Sequence, residues 1–195
     1  MSTHETTAWA ADPSTSKISK QETNWTVDPS HSKIGFKVKH LMISNVTGTF
    51  RVFEGGVSTV GNDFSKSVIS LSINSASVDT EIGDRDAHLR SGDFFDVENF
   101  PKITFSGTGL KDLGDDLYEL TGDLTIKGVT NPTTLSVEFG GINSDPWGNV
   151  KAGFSVTGKI KRKDWDLAWN AALETGGVLV GEEVKINCDI QLVNN

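Results

Sequence analysis

From Lys33 onward the chain alternates between apolar and polar positions. Ile34, Phe36, Val38 and His40 fall on one face while Lys33, Lys37 and Lys39 fall on the other, the period-two signature of a strand buried on one side. Val46, Gly48, Phe50 and Val52 repeat the pattern, Glu54-Gly55-Gly56 reads as a break or bulge, and Ile69, Leu71 and Ile73 share the next face. Beyond Pro101, Ile103 and Phe105 precede Gly107 and Gly109. Tyr118, Leu120, Gly122, Leu124 and Ile126 then alternate after a turn at Gly114-Asp115-Asp116. Leu135, Val137 and Phe139 follow Pro132, Val150 to Ile160 form a long strand, and Val184, Ile186, Cys188, Ile190 and Leu192 make the most regular one. Order begins at residue 24, where Trp25 and Val27 share a face and Asp28-Pro29 starts a turn. About eight such segments, each with one apolar face, predict antiparallel all-β architecture. Several run to about ten residues, above the usual five to six, which favours a closed, strongly coiled sheet. An eight-stranded barrel is either just filled by its own side chains or left with room for one small ligand.

Two stretches break the alternation. Arg85-Asp86-Ala87-His88-Leu89-Arg90 followed by Ser91-Gly92-Asp93-Phe94-Phe95-Asp96 crowds charge and aromatics together. It reads as a short helix over about 84–91, with Asp84 as its cap, Gly92 just past its end, and Asp86 paired with Arg90 one turn away. Two turns do not persist alone in water, so tertiary contacts must hold this helix. The second stretch, 162–173, spaces Trp165, Trp169 and Leu173 four apart but ends in Gly176-Gly177 between strands. It reads as an irregular or one-turn helical connection that puts two tryptophans near a barrel end.

Composition narrows the function classes. The net charge of -8 opposes a nucleic-acid partner, which needs a positive field. One cysteine, Cys188, excludes an intramolecular disulfide and a multi-cysteine metal site. Residues 1–23 are polar and aperiodic, with Trp9 their only aromatic group, and read as a disordered tail before a single domain over 24–195. They lack the basic start and apolar run of a secretory signal, so the expected location is cytoplasmic, or periplasmic if a leader was removed.

The order of motifs resembles the YceI-like family. The resemblance rests on Trp-x-x-Asp-x-x-His-Ser at 25–32, Val-x-Gly-x-Phe at 46–50, Arg-Asp-x-His-Leu at 85–89, Asp-Phe-Phe-Asp at 93–96 and Phe-Pro-x-Ile-x-Phe at 100–105. Gly-Asp-Leu-Thr-Ile-Lys-Gly-Val-Thr at 122–130, Arg-Lys-Asp-Trp at 162–165 and Gly-Glu-Glu-Val-Lys-Ile at 181–186 continue it. It implies an extended lipocalin-like eight-stranded antiparallel barrel that holds a long isoprenoid or related amphiphile in an apolar cavity, with no catalytic residues. Two features depart from what the resemblance implies: residues 1–23 do not read as the secretory leader the family often carries, and Trp165 stands where Phe before Gly is usual, which would reshape one end of the cavity.

Candidate ligand-binding residues are the inward Phe36, Val38, Phe50, Phe105, Leu124, Phe139 and Phe154, together with Trp165 and Trp169 at the barrel end. Ordinary core packing explains any one of these aromatics equally well. Arg85, Asp86 and His88 would hold a head group at the mouth, with Phe94 or Phe95 turned inward as a lid. The competing role is that Arg85 and Asp86 pin the helix. The expected partner is a long-chain isoprenoid, quinone or fatty amide, carried or sequestered without cofactor or metal, and a homodimer through a barrel edge or end stays open. One alternative is an enzyme of lipid or small-molecule turnover using His88 or His31. Against it, residues 86 and 88 point to different sides of a helix and no nucleophile motif is present. A metal site assembled from His31, His40 and His88, or a filled-barrel stress or interaction protein, are the others.

Overall fold

The computed structural model describes residues 22–174 and 176–194. Strands β1 (Glu22–Val27) and β2 (Lys33–His40) run in the same direction, both antiparallel to the last strand. On that strand, Trp25 lies opposite Asn194 and Val27 opposite Leu192, then Ile34 opposite Cys188 and His40 opposite Val180. They are two halves of one bent strand. The bend at 28–32 is fixed by Asp28, whose carboxylate is bonded by Ser30 N, the His31 ring, Lys151 Nζ and Gln191 Nε2. Burial alone would raise the Asp28 pKa, but these donors outweigh it and hold the carboxyl below its usual range.

The next strand is bent in the same way. β3 (Ser44–Phe50) pairs with β2, and β4 (Phe53–Val60) pairs with β1. β5 (Asp63–Asn74) lies against β4, and the short β6 (Val78–Asp79) against β3. After helix α1 (Gly83–Arg90) come β7 (Lys102–Thr108), β8 (Lys111–Gly114), β9 (Leu117–Ile126), β10 (Val129–Ser144), β11 (Val150–Lys161) and β12 (Val180–Asn194). β5 pairs β7, β7 pairs β9, and β9 to β12 pair in succession, with β8 as a short flap on β9. With bent halves counted together, eight antiparallel strands follow one another around a ring. β12 closes the ring by meeting β1 and β2, so the fold is a closed up-and-down barrel.

The bend at Arg51-Val52 reverses the inward phase. Phe50 and Phe53 both point inward and Val52 is 57% exposed, so Val52 does not continue the face of Val46 and Phe50. Nor do Glu54-Gly55-Gly56 interrupt a strand, since they lie inside β4. Gly55 is required by close approach: a Cβ there would sit 2.6 Å from Ser70 O across the β4–β5 pair.

The helix lies within a residue of its expected place, but its ends are made differently. Ile82 occupies the N-cap position with no side-chain bond, and Ser91 ends the helix by donating N–H and Oγ–H to His88 O. Asp86 and Arg90 do not pair. Asp86 is buried and accepts from Thr80 N (2.9 Å) and Thr80 Oγ1 (2.5 Å), while Arg90 donates to Ala76 O and Val78 O. Those bonds, and Arg85 to Thr80 Oγ1 and O, anchor the helix over one end of the barrel. The expected tail over 1–23 lies, through residue 21, outside the described residues.

At the opposite end Trp25, Phe64, Phe139 and Phe154 pack as a plug, with ring centroids 5.1–6.0 Å apart. Trp25 is 1% exposed and donates Nε1–H to Thr59 Oγ1. Trp25→Ala is expected to cost about 3–5 kcal/mol, the range for emptying a buried aromatic site, read as a lowered urea midpoint at unchanged slope.

Candidate functional site

Between the plug and the helix the barrel is hollow. A cavity of about 580 Å³ runs along its interior, within the range of small-molecule sites. On β12 the lining residues Val180, Val184, Ile186, Cys188, Ile190 and Leu192 are inward-facing positions of one strand. That is twelve residues of contour, about 40 Å at 3.3 Å per residue. A tilt of roughly 40° brings it to about 30 Å along the axis. Averaged over that length the cavity is narrow, suited to a slender chain rather than a globular ligand.

Its walls follow from the inward faces of the strands. The middle is aliphatic, with Ile34, Ile69, Leu71, Ile103, Leu135, Val137 and Val156 beside the β12 residues. Toward the helix end Phe36 packs on Phe50 (5.8 Å) and Phe50 on Phe95 (5.6 Å). Phe36 lies over Gly48 and Phe105 over Gly122, and a Cβ on either glycine would come within 2.4 Å of the ring. Phe36, Val38, Phe50, Phe94, Phe95, Phe105, Leu124, Phe154 and Trp169 all line the cavity. Phe94 and Phe95 both face it.

Phe139 and Trp165 do not line it. Phe139 sits at a bulge in β10 and joins the plug through Phe64 and Phe154. Trp165 is buried behind the wall, donating Nε1–H to Leu124 O at 2.9 Å. Asp86 is also outside the lining, its carboxylate committed to Thr80.

The charged groups and histidines on the cavity gather at one end, where Arg162 also reaches it beside Gly181. Lys39, His40, Asp84, Arg85 and His88 reach it between the β2–β3 turn and the start of α1. Over this mouth lies an aromatic cluster, with the His88 ring edge-on to Trp169 (4.6 Å) and Phe94 (5.1 Å), and Phe94 against Trp169 (5.3 Å). His88 Nε2 lies 2.9 Å from Asp93 Oδ2.

Arg162 is the functional residue that sequence reasoning missed. It is 2% exposed, lines the cavity, and donates Nε–H to Gly181 O and NH1 to Trp169 O (both 2.9 Å) and to Leu167 O. Burial lowers its pKa, partly offset by Glu182, yet a guanidinium stays charged. Arg162 therefore stitches the 162–179 segment, which carries Trp169, onto the start of β12. Its signal was available: Val156, Gly158 and Ile160 point inward, and one more step of two gives residue 162.

The remaining chemistry is sparse. His31 hydrogen-bonds Asp28 at the strand bend and does not line the cavity, His40 is at the mouth, and His88 is under the lid. Among the described residues no group of three or more His, Cys, Asp or Glu side chains could hold a metal ion. The Cys188 thiol is in the wall, where burial pushes its pKa up to about 11. No helix among the described residues is long and apolar enough to cross a membrane.

The family model described as YceI-like domain matches residues 25–192. A UPF0312 protein of Staphylococcus aureus is 42% identical over 157 residues, covering 80% of this chain and 89% of the relative. The crystal structure of a Campylobacter jejuni YCEI protein superposes with a TM-score of 0.68 at 33% identity, covering 85% of this chain and 95% of the other. A polyisoprenoid binding domain from Saccharophagus degradans superposes with a TM-score of 0.64 at 20% identity, covering 88% and 98%.

Two outcomes are expected at this site. Cys188 in the folded protein should resist iodoacetamide at pH 8 and react once urea unfolds it, because thiolate forms only near pH 11; mass shift over time reads this directly. Arg162→Met strands several buried carbonyls and should lose about 3 kcal/mol or more, with faster hydrogen exchange over residues 162–180.

Proposed function

The chain belongs to the YceI-like family, and on that footing we propose that its barrel binds one long-chain amphiphilic lipid, an isoprenoid, quinone-like or fatty-amide compound, and carries or sequesters it. The observation that carries this reading is the cavity itself: about 580 Å³, walled by aliphatic and aromatic side chains, with charge gathered at one end. Each buried methylene is worth about 0.8 kcal/mol, so ten of them supply about 8 kcal/mol before ordering costs, the scale of micromolar affinity. The tail lies among Ile69, Leu124, Val137, Ile186 and Ile190. The polar head sits at the mouth near Lys39, Arg85 and His88, with the lid of Phe94 and Trp169 above it. The polyisoprenoid-binding relative supports the ligand class.

Turnover of the ligand is disfavoured by the same geometry. His88 has an acid partner in Asp93, but the groups against its ring are Phe94 and Trp169, and the cavity's one thiol is held protonated by burial.

The test is lipid recovered by organic extraction from protein purified without detergent, with Phe50→Asp and Phe154→Asp beside the parent. Parent protein should yield a long-chain species at about one per chain, and each folded variant should retain less than a tenth of it, since a buried unpaired carboxylate opposes an apolar tail. Full retention by both folded variants would contradict the cavity assignment.

A further inference from the structure

The β2–β3 turn carries leucine, methionine and isoleucine where a hairpin of its shape favours Asn and Gly. Ile43 N donates to His40 O at 3.2 Å, and the two central residues, Leu41 and Met42, have φ of 52° and 61°. Positive φ at both central positions is the type I′ pattern, in which a branched or bulky side chain is costly. The backbone is fixed by Leu41 N donating to Leu179 O at 2.8 Å. The side chains are not buried in return: Leu41 is 37% exposed, Met42 53% and Ile43 83%. Neither turn chemistry nor core packing accounts for three apolar residues there.

Their position relative to the cavity does. The residues just before the turn, Lys39 and His40, line the mouth, and so do Leu179 and Val180, to which the turn is bonded. The apolar tip thus stands at the rim of the opening and extends the apolar wall into solvent. Together its side chains expose less than two full residues of surface, whereas each partner in a stable protein interface gives about 800 Å² from 20–30 residues. Too small for that, the tip suits a surface that needs no matching shape.

We propose that the Leu41-Met42-Ile43 tip inserts into the interfacial layer of a lipid bilayer and sets the cavity mouth against it, so that a lipid passes between bilayer and barrel without crossing water. The transfer step rests on the lipid reading of the cavity, while the docking step stands on the turn alone. The three tip side chains carry no charge, so the attachment is apolar rather than electrostatic, zwitterionic bilayers serve and salt changes little.

The experiment floats the full chain with phosphatidylcholine vesicles at low and high salt, using parent, the triple variant Leu41→Asn/Met42→Gly/Ile43→Ser, and Trp147→Ser. Trp147 is 85% exposed in the β10–β11 turn at the far end of the barrel. The triple variant gives the turn its preferred residues, so its melting temperature should hold or rise while vesicle partitioning drops at least about tenfold. Trp147→Ser should float like the parent. A triple variant that floats like the parent, a parent that does not float, flotation abolished by salt, or loss through Trp147→Ser instead would each overturn the docking. Retained lipid, measured separately by extraction, keeps the readings apart: a triple variant that holds its lipid but no longer floats supports docking with the cavity intact. A parent that floats yet carries no lipid and accepts none overturns the transfer step and the cavity reading, not the docking.

Discussion

The structure depends on one strand reaching two neighbours. β12 pairs with β11 along one edge and, along the other, with β1 near its end and β2 over most of its length. A straight first strand could not follow a sheet that coils this strongly, so it bends at 28–32, and Asp28 holds the bend by taking donors from Ser30, His31, Lys151 and Gln191. The second strand bends in step at Arg51-Val52. Closure leaves no long unpaired edge, and it fixes eight strands as the circumference, the size at which a barrel is either filled or just hollow.

Which of the two it becomes is decided by side-chain volume along the axis. Trp25, Phe64, Phe139 and Phe154 stack against one another at one end, whereas the middle carries aliphatic groups that leave the cavity between them. The open end is covered by segments that owe their position to hydrogen bonds onto backbone carbonyls. Arg90 holds α1 to Ala76 and Val78, and Arg162 holds the Trp169 segment to Gly181. Lys127 links the two by donating to Gly92 O and Asp166 O. The barrel wall is a continuous ladder, while the cover is a set of point attachments, and this difference in cooperativity places any opening motion at the mouth.

Period-two alternation is a local property, which is why β2, β7, β9, β11 and β12 and their inward faces were legible residue by residue. β4 was not, because its phase is set by a bend that exists only once β3 and β4 are paired to different partners, and its two glycines resemble a loop. The helix could be placed from its charges, but Asp86 and Arg90 spend those charges on Thr80, Ala76 and Val78, contacts that local spacing does not contain. Trp165 and Trp169 looked equivalent in sequence; the irregular backbone between them turns one behind Leu124 and the other into the cavity. Phe139 has the inward phase, yet the bulge after it and the stacked rings beside it make it part of the plug.

The most direct test of a hollow, lipid-filled barrel is a crystal structure of protein purified without detergent, with the density inside the barrel examined from Leu192 to the mouth at Arg85. Continuous, unbranched density through the middle, ending near Lys39 and Arg85, is the expected result. Side chains collapsed across the axis, or isolated water peaks in place of a chain, would contradict it.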